Sequence, residues 1–198
     1  SVLSFQISGG TDQDLFAIDS QSGQVLFLSS PDFESPGDSN GDNLYEFEVS
    51  VSDGTSSTQQ SISLTVTDLA ESPQIDGDLS VVSLSLTEDG STTYDFNATD
   101  PDSGSSLTWT LLVNPSNGSA TIDPSSGILT YIPSTNFFGS DTLTVSVADE
   151  AFTVSKEVNL SVTAENDTPV FSSGSTFSVN EGNSIVATLS ASDADGDA

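Results

Sequence analysis

Apolar residues recur at every second position in short runs along the chain. Tyr45, Phe47, Val49 and Val51 make one row; Ile62, Leu64 and Val66 the next; then Tyr94, Phe96 and Ala98. Leu143, Val145 and Val147, then Val158, Leu160 and Val162, then Ile185, Ala187, Leu189 and Ala191 continue the pattern. Successive strand side chains point to opposite faces, so each row predicts a half-buried β-strand with Ser, Thr or an acid on its outer face. No stretch of ten or more residues carries a helical period. Ser-Gly, Asn-Gly, Asp-Gly and Pro-Ser turn signals divide the rows about every 8–12 residues, a spacing that predicts an all-β sandwich.

The rows also repeat. Leu64-Thr-Val-Thr-Asp-Leu-Ala-Glu-Ser-Pro73 aligns with Leu160-Ser-Val-Thr-Ala-Glu-Asn-Asp-Thr-Pro169, and Val49-Ser-Val-Ser-Asp53 with Val145-Ser-Val-Ala-Asp149, both 96 residues apart. Ile18-Asp-Ser-Gln-Ser-Gly23 matches Ile122-Asp-Pro-Ser-Ser-Gly127 at 104, so the first copy carries eight extra residues around Glu34 to Asn43. Thr87-Glu-Asp-Gly with Ala98-Thr-Asp-Pro-Asp102 matches Asn180-Glu-Gly-Asn with Ala191-Ser-Asp-Ala-Asp195 at 93. The expected organisation follows: 1–69 is the C-terminal part of a repeat, 70–74 a linker, 75–163 a complete repeat, 164–169 a second linker, and 170–198 the N-terminal part of the next repeat. The sequence reads as one period of a longer array, with Ala198 of one copy meeting Ser1 of the next, either through a peptide bond or by non-covalent strand complementation. Neighbouring copies of the chain, head to tail, are therefore its expected partners.

Charge narrows the function. There are 30 Asp and Glu against the single cation Lys156, a net of −29, and neither His nor Cys occurs. That excludes a Cys or His nucleophile, a disulfide framework and a Cys/His zinc site. One Lys cannot displace counterions from nucleic acid, and an anionic membrane surface repels the chain. No apolar run approaches the roughly 18 residues of a membrane-spanning helix, and no signal-like segment is present. A protein so dense in carboxylates suits Ca²⁺, which takes about six to eight oxygen ligands.

The acids concentrate at the repeat boundaries. Asp68 and Glu71 precede Pro73; Glu165, Asn166 and Asp167 precede Pro169; Glu88 and Glu181 open strands; Asp100/Asp102 and Asp193/Asp195 form Asp-x-Asp pairs; Asp53 and Asp149 follow long strands. Alternate side chains share a face, so an Asp-x-Asp turn lets two carboxylates converge on one cation. Asp12, by contrast, reads as an ordinary turn residue whose loss changes little.

The linker Asn166-Asp167-Thr168-Pro169, the Asp-x-Asp pairs, the strand-opening glutamates and Asp32-Phe33-Glu34 together resemble the calcium-binding signature of cadherin repeats in their bacterial form. Thr87-Glu-Asp-Gly and Tyr131-Ile-Pro-Ser-Thr-Asn-Phe-Phe-Gly-Ser-Asp141 are similar to the bacterial Ig-like tandem domains of giant surface proteins. The resemblance implies elongated tandem Greek-key sandwiches, extracellular or on the bacterial cell surface, stiffened by Ca²⁺. It implies a first junction of Asp32, Glu34, Asp68, Glu71, Asp100, Asp102 and Asp149. The implied second junction uses Glu88, Glu165, Asn166 and Asp167, then Asp193 and Asp195, with an Asp53-like ligand from the following copy; Glu181 is a further implied metal ligand. The linkers depart from Asp-x-Asn-Asp, reading Asp68-Leu-Ala-Glu71 and Ala164-Glu-Asn-Asp167, which favours fewer or weaker ions at the second junction.

Two EF-hand-like stretches, Asp38–Asp42 and Asp193–Asp197, lack the sixth-position Gly, twelfth-position Glu and flanking helices of that motif. Asn97 and Asn159 lie in Asn-x-Ser/Thr sequons with an acid two residues upstream, and are candidate glycan sites. The expected function is structural and non-enzymatic: a calcium-rigidified repeat of a long adhesin, matrix or filament protein. The alternative is a carbohydrate- or protein-binding module. Such a module needs an exposed aromatic platform, so burial of Trp109, Tyr45, Tyr94 and Tyr131 would favour the scaffold.

Overall fold

The computed structural model describes residues 2–77 and 81–195. The expected meeting of Ser1 with Ala198, and the last acid of the Asp193–Asp197 stretch, lie outside the described residues. The chain divides into two compact units, Ser1–Glu71 with Pro101–Ser103, and Ser72–Asp100 with Gly104–Ala198.

The first unit holds β1 (Ser4–Gly9), β2 (Phe16–Ile18), β3 (Val25–Phe27), β4 (Leu44–Ser52) and β5 (Ser57–Thr65). One sheet runs β1-β4-β5 and the other is the β2-β3 hairpin. Phe16, Tyr45 and Phe47 are buried between them, with Ile7, Val25, Phe27, Val49 and Ile62 packed against this nucleus. The alternation read from Tyr45 to Val51 places Tyr45 and Phe47 on the inner face of β4, against Phe16 of β2.

The second unit begins with β6 (Gln74–Ile75), β7 (Val81–Thr87), β8 (Thr92–Asp95), β9 (Ala98–Thr99), β10 (Thr108–Val113) and β11 (Gly118–Ile122). It continues with β12 (Ile128–Pro133), β13 (Gly139–Ala148), β14 (Thr153–Thr163), β15 (Val170–Phe171) and β16 (Ala191–Ser192). Sheets β10-β13-β14-β7 and β11-β12-β8 face each other, with short pairs β6-β9 and β15-β16. β7 lies parallel to β14, Val82 opposite Val158 and Leu84 opposite Leu160, while the other pairs are antiparallel. Leu129, Tyr131, Val145, Val147 and Val158 are completely buried. Each such side chain contributes about 1.5–3 kcal/mol.

The two units share local geometry at the spacing of the sequence repeat. The register of β1 against β4 shifts between Ile7 and Gly9, and that of β10 against β13 between Leu111 and Val113, 104 residues on. Asp19 caps the turn before β3 by accepting the Ser22 amide at 2.7 Å, and Asp123 accepts that of Ser126 at 2.8 Å. Gly23 and Gly127 close these turns at φ 73° and 74°. At Gly127 a Cβ would meet the Phe96 carbonyl at 2.4 Å, so glycine is required there. The eight extra residues of the first unit fall in the long connection between β3 and β4.

Two expectations change. Asp12 is no ordinary turn residue: it is 4% exposed and accepts the amides of Ser39 at 2.8 Å and Glu46 at 2.7 Å, tying the long connection to β4. The row Ile185–Ala191 does not form a strand before Ala191, and Ile185 and Leu189 are 76% and 59% exposed. Its counterpart β8 is held by β12; among the described residues no strand pairs with 184–189, and Ser190 accepts the amides of Ser172 and Ser173.

Candidate metal centre

Asp32 opens an Asx turn, its Oδ1 accepting the amides of Glu34 and Ser35 at 3.0 and 3.1 Å. That turn sets Glu34 at the head of the long connection. Asp38 closes the far end by accepting the Asp42 and Asn43 amides, while Asn43 Nδ2 donates to the Phe33 carbonyl at 2.8 Å. The Asp38–Asp42 stretch therefore spends its first carboxylate on its own loop. Past β5 the chain extends through Asp68 to Glu71, whose amide donates to Asp102 Oδ2 at 3.1 Å.

Glu34, Asp68, Glu71 and Asp102, all in the first unit, each bring a carboxylate oxygen within 4.8 Å of the others. Four carboxylates this close repel one another. Burial first, then the charges of Asp68, Asp102 and Asp32, holds Glu34 above the usual carboxylate range. A hydrogen bond with Asp102, then burial and the charges of Glu34, Asp102 and Asp68, pushes Glu71 up to about 7. Glu34 Oε1 and Glu71 Oε2 are buried with no hydrogen-bond partner among the described residues. An all-oxygen cluster of this kind, with two buried acceptor atoms left without hydrogen bonds, fits a hard divalent ion. His and Cys being absent, no softer ligand competes.

In the second unit Asp100 and Asp149 bring carboxylate oxygens within 4.8 Å of each other. Asp149 accepts the Ala151 and Phe152 amides, and these with a hydrogen bond to Asp100 lower its pKa. Asp149 Oδ2 is buried without a hydrogen-bond partner among the described residues. Asp53 caps the corresponding hairpin, accepting the Thr55 and Ser56 amides at 2.9 and 2.8 Å.

The second set repeats part of the first. The Asp167 amide donates to Asp195 Oδ2 at 2.6 Å, Asp195 donates its own amide to Asp193, and the Glu165 amide reaches Glu88 Oε1 at 2.8 Å. Burial, then the charges of Asp195, Asp89, Glu88 and Asp193, raise the pKa of Asp167. Glu88 is 1% exposed. Among the described residues these acids do not gather as a group of three within the distance reached by Glu34, Asp68, Glu71 and Asp102. Asn166 and Glu165 are exposed, and Glu181 stands exposed on a turn. Asn97 and Asn159 are also exposed, the latter on the outer face of β14.

An almost entirely β architecture with a four-carboxylate cluster in its first unit defines an acidic all-β protein. Residues 70–161 match the family model of the bacterial Ig domain. Among solved structures the chain is similar to Drosophila N-cadherin EC1-4, with a TM-score of 0.55, 14% identity, and 98% of this chain covering 50% of that one. Human protocadherin-24 EC1-2 (form II) gives 0.53 at 19% identity, with 82% of each chain covered. Mouse protocadherin-24 EC1-3 gives 0.53 at 19% identity, covering 98% of this chain and 67% of that one. The chain thus spans half the length of the N-cadherin structure. A comparison with curated protein sequences finds no match. The fold is that of bacterial Ig-like and cadherin-like repeats. Among the described residues no helix is long and apolar enough to cross a membrane.

Proposed function

We propose that the chain is a calcium-rigidified structural repeat of a long extracellular bacterial adhesin, matrix or filament protein. The observation that carries this is the convergence of Glu34, Asp68, Glu71 and Asp102, with Glu71 holding its proton up to about pH 7. Ca²⁺ would replace that proton and tie the triplet Pro101–Ser103 to the long connection and to the end of the first unit. A net charge of −29 opposes compactness, and a bound divalent ion relieves it locally. Burial of Trp109, Tyr45 and Tyr131, at 4%, 2% and 0% exposure, supports a scaffold over a carbohydrate-binding platform; only Tyr94 is exposed, and its ring lies against Phe96.

The test is calorimetric titration of Ca²⁺ into EDTA-stripped chain, with thermal melting on the same samples. Binding should raise stability by about 2.7 kcal/mol at 100 times Kd. Glu71→Gln should weaken it. No binding heat and superimposable melts in EDTA and in millimolar Ca²⁺ would overturn the reading.

A further inference from the structure

Four Asn-x-Ser/Thr sequons lie along the chain, at Asn97, Asn117, Asn159 and Asn166, and two of them, Asn97 and Asn159, have an acid two residues earlier. A transferase acting on the finished fold can use such a sequence only where the surface presents it. The structure separates the four. Asn117 is half-buried and its backbone amide is held by Asp141 at 2.8 Å, while Asn166 turns its own Nδ2 to the Asp167 carbonyl at 2.7 Å. Asn159 faces outward, but β14 is an inner strand of its sheet, paired with β13 throughout Gly139–Ala148 and with β7 throughout Val81–Thr87. To draw Asn159 into an enzyme, both ladders must part.

We propose that Asn97 is the acceptor of an N-linked oligosaccharide attached to the folded chain, and that its sheet closes Asn159 to the same reaction. Asn97 sits in the two-residue break between β8, which ends at Asp95, and β9, which begins at Ala98. Exposure alternates through the motif: Asp95, Asn97 and Thr99 stand out to solvent, Phe96 is 2% exposed and Ala98 is half-buried. The three side chains that define the motif thus share one face of an extended segment. Phe96 fixes that face. Its ring lies 5.5 Å from that of Trp109 and 4.6 Å from that of Tyr94, and its amide donates to the Gly127 carbonyl at 3.2 Å. The Asp76 amide donates to the Asn97 carbonyl at 2.8 Å, so the backbone is tied while the carboxamide stays on the surface. Among the described residues β9 has one neighbour, β6, along Gln74–Ile75, and its other edge is open to approach.

The reaction balances without a redox partner. The donor is an oligosaccharide carried on a polyprenyl pyrophosphate. Its reducing-end C1 bonds to Asn97 Nδ2, the C1–O bond to the pyrophosphate breaks, the lipid pyrophosphate leaves, and one carboxamide proton passes to solvent. Asp95 offers a cationic side chain of the transferase a charge-assisted contact two residues ahead of the acceptor. The chain's one lysine does not compete for it, because Lys156 donates to the Gly77 carbonyl. None of Asp95, Asn97 and Thr99 belongs to the candidate metal centre, so the proposal stands apart from the calcium reading.

The test is glycosylation of the full, folded chain by a bacterial oligosaccharyltransferase that requires the acid, with an undecaprenyl-pyrophosphate oligosaccharide as donor. Intact mass should rise by one glycan, and peptide mapping should place it on Asn97. Asn97→Gln should abolish the increment, Asp95→Ala should slow it about tenfold or more, and Asn159→Gln should leave it unchanged. All three sites are exposed, so the variants should melt as the parent does. Free peptides 93–101 and 155–163 should both be modified, because the second is then released from its sheet. A folded chain left unmodified, or one carrying its glycan on Asn159, would overturn the proposal. Refusal of peptide 155–163 would overturn the part assigned to the sheet. Chain recovered from the cells that make it should carry sugar on Asn97, and a bare Asn97 there would also overturn the proposal.

Discussion

The backbone amide of Glu71 donates to the carboxylate of Asp102 at 3.1 Å, across a stretch of 31 residues. One repeat later Asp167 and Asp195 make the same bond. In the first case the acceptor also belongs to the four-carboxylate cluster, so Asp102 holds the backbone and faces its neighbours' charge together. The two roles can be separated. Asp102→Asn keeps an acceptor and removes a charge; it should bind Ca²⁺ about tenfold or more weakly yet melt no lower than the parent in EDTA. Asp102→Ala should lose on both counts, and paired titration and melting curves check this.

The proton on Glu71 gives the metal-free cluster a definite pH response. Its pKa is raised from 4.5 to about 7 in the folded chain, so the folded state binds the proton more tightly. That contribution is fully present below pH 4.5 and lost as pH rises through about 7. In EDTA the first unit should therefore melt higher at pH 5 than at pH 8. In Ca²⁺ the order should reverse, because protons compete with the ion. Melts at the two pH values, with and without Ca²⁺, are the measurement.

Asp12 tests the difference between exposed and buried turn acids. It accepts two amides and the Thr11 hydroxyl in a nearly closed site. Burial pushes its pKa up, but those bonds outweigh it and leave the value lowered. Asp12→Ala should cost about 2–4 kcal/mol, since two buried amides lose a charged acceptor. Denaturant unfolding that resolves the first unit will show it. Asp19→Ala, at an exposed turn, should cost far less.

Tyr131 and Asp141 anchor the second unit. The Tyr131 hydroxyl donates to Asp141 at 3.1 Å, and the amides of Ser116, Asn117 and Thr142 bond to the same carboxylate. Burial, then Asp141 itself, pushes the tyrosine up to about 12. Burial acts to raise Asp141 too, but its four donors prevail and lower it. The stability it supplies is present above its ordinary value of 3.8 and lost as pH falls through the depressed one. Asp141→Ala should cost about 3–5 kcal/mol, and Tyr131→Phe about 1 kcal/mol. Acid titration of the unfolding transition should show the Asp141 contribution vanish in the variant.

Much of this architecture was legible because strand alternation and turn chemistry are local. Leu143, Val145 and Val147, and Val158, Leu160 and Val162, are buried as their two-residue period requires. The acid cluster was legible in part, because Asp-x-Asp pairs and linker acids recur at matching repeat positions. Asp32 and Asp53 show the limit: they share the composition of the cluster but spend their oxygens on their own turns. Asp12 was misread because burial depends on where Ser39 and Glu46 arrive, 27 and 34 residues away. Asp141 went unnoticed for the same reason. Ile185–Leu189 has the period of a strand, but a strand also needs a neighbour, which a one-dimensional pattern does not supply.

Among the described residues the buried acids Asp12, Asp38, Glu88 and Asp141 are held by backbone amides rather than by cationic side chains. The chain's one lysine donates to the Gly77 carbonyl, and no ion pair to a carboxylate occurs among the described residues. Added salt therefore screens repulsion throughout the molecule and has almost no attraction between opposite charges to weaken. Most folded proteins face both effects at once. Here stability should rise steadily with ionic strength even for a monovalent salt such as NaCl, and a protein so composed is suited to brine.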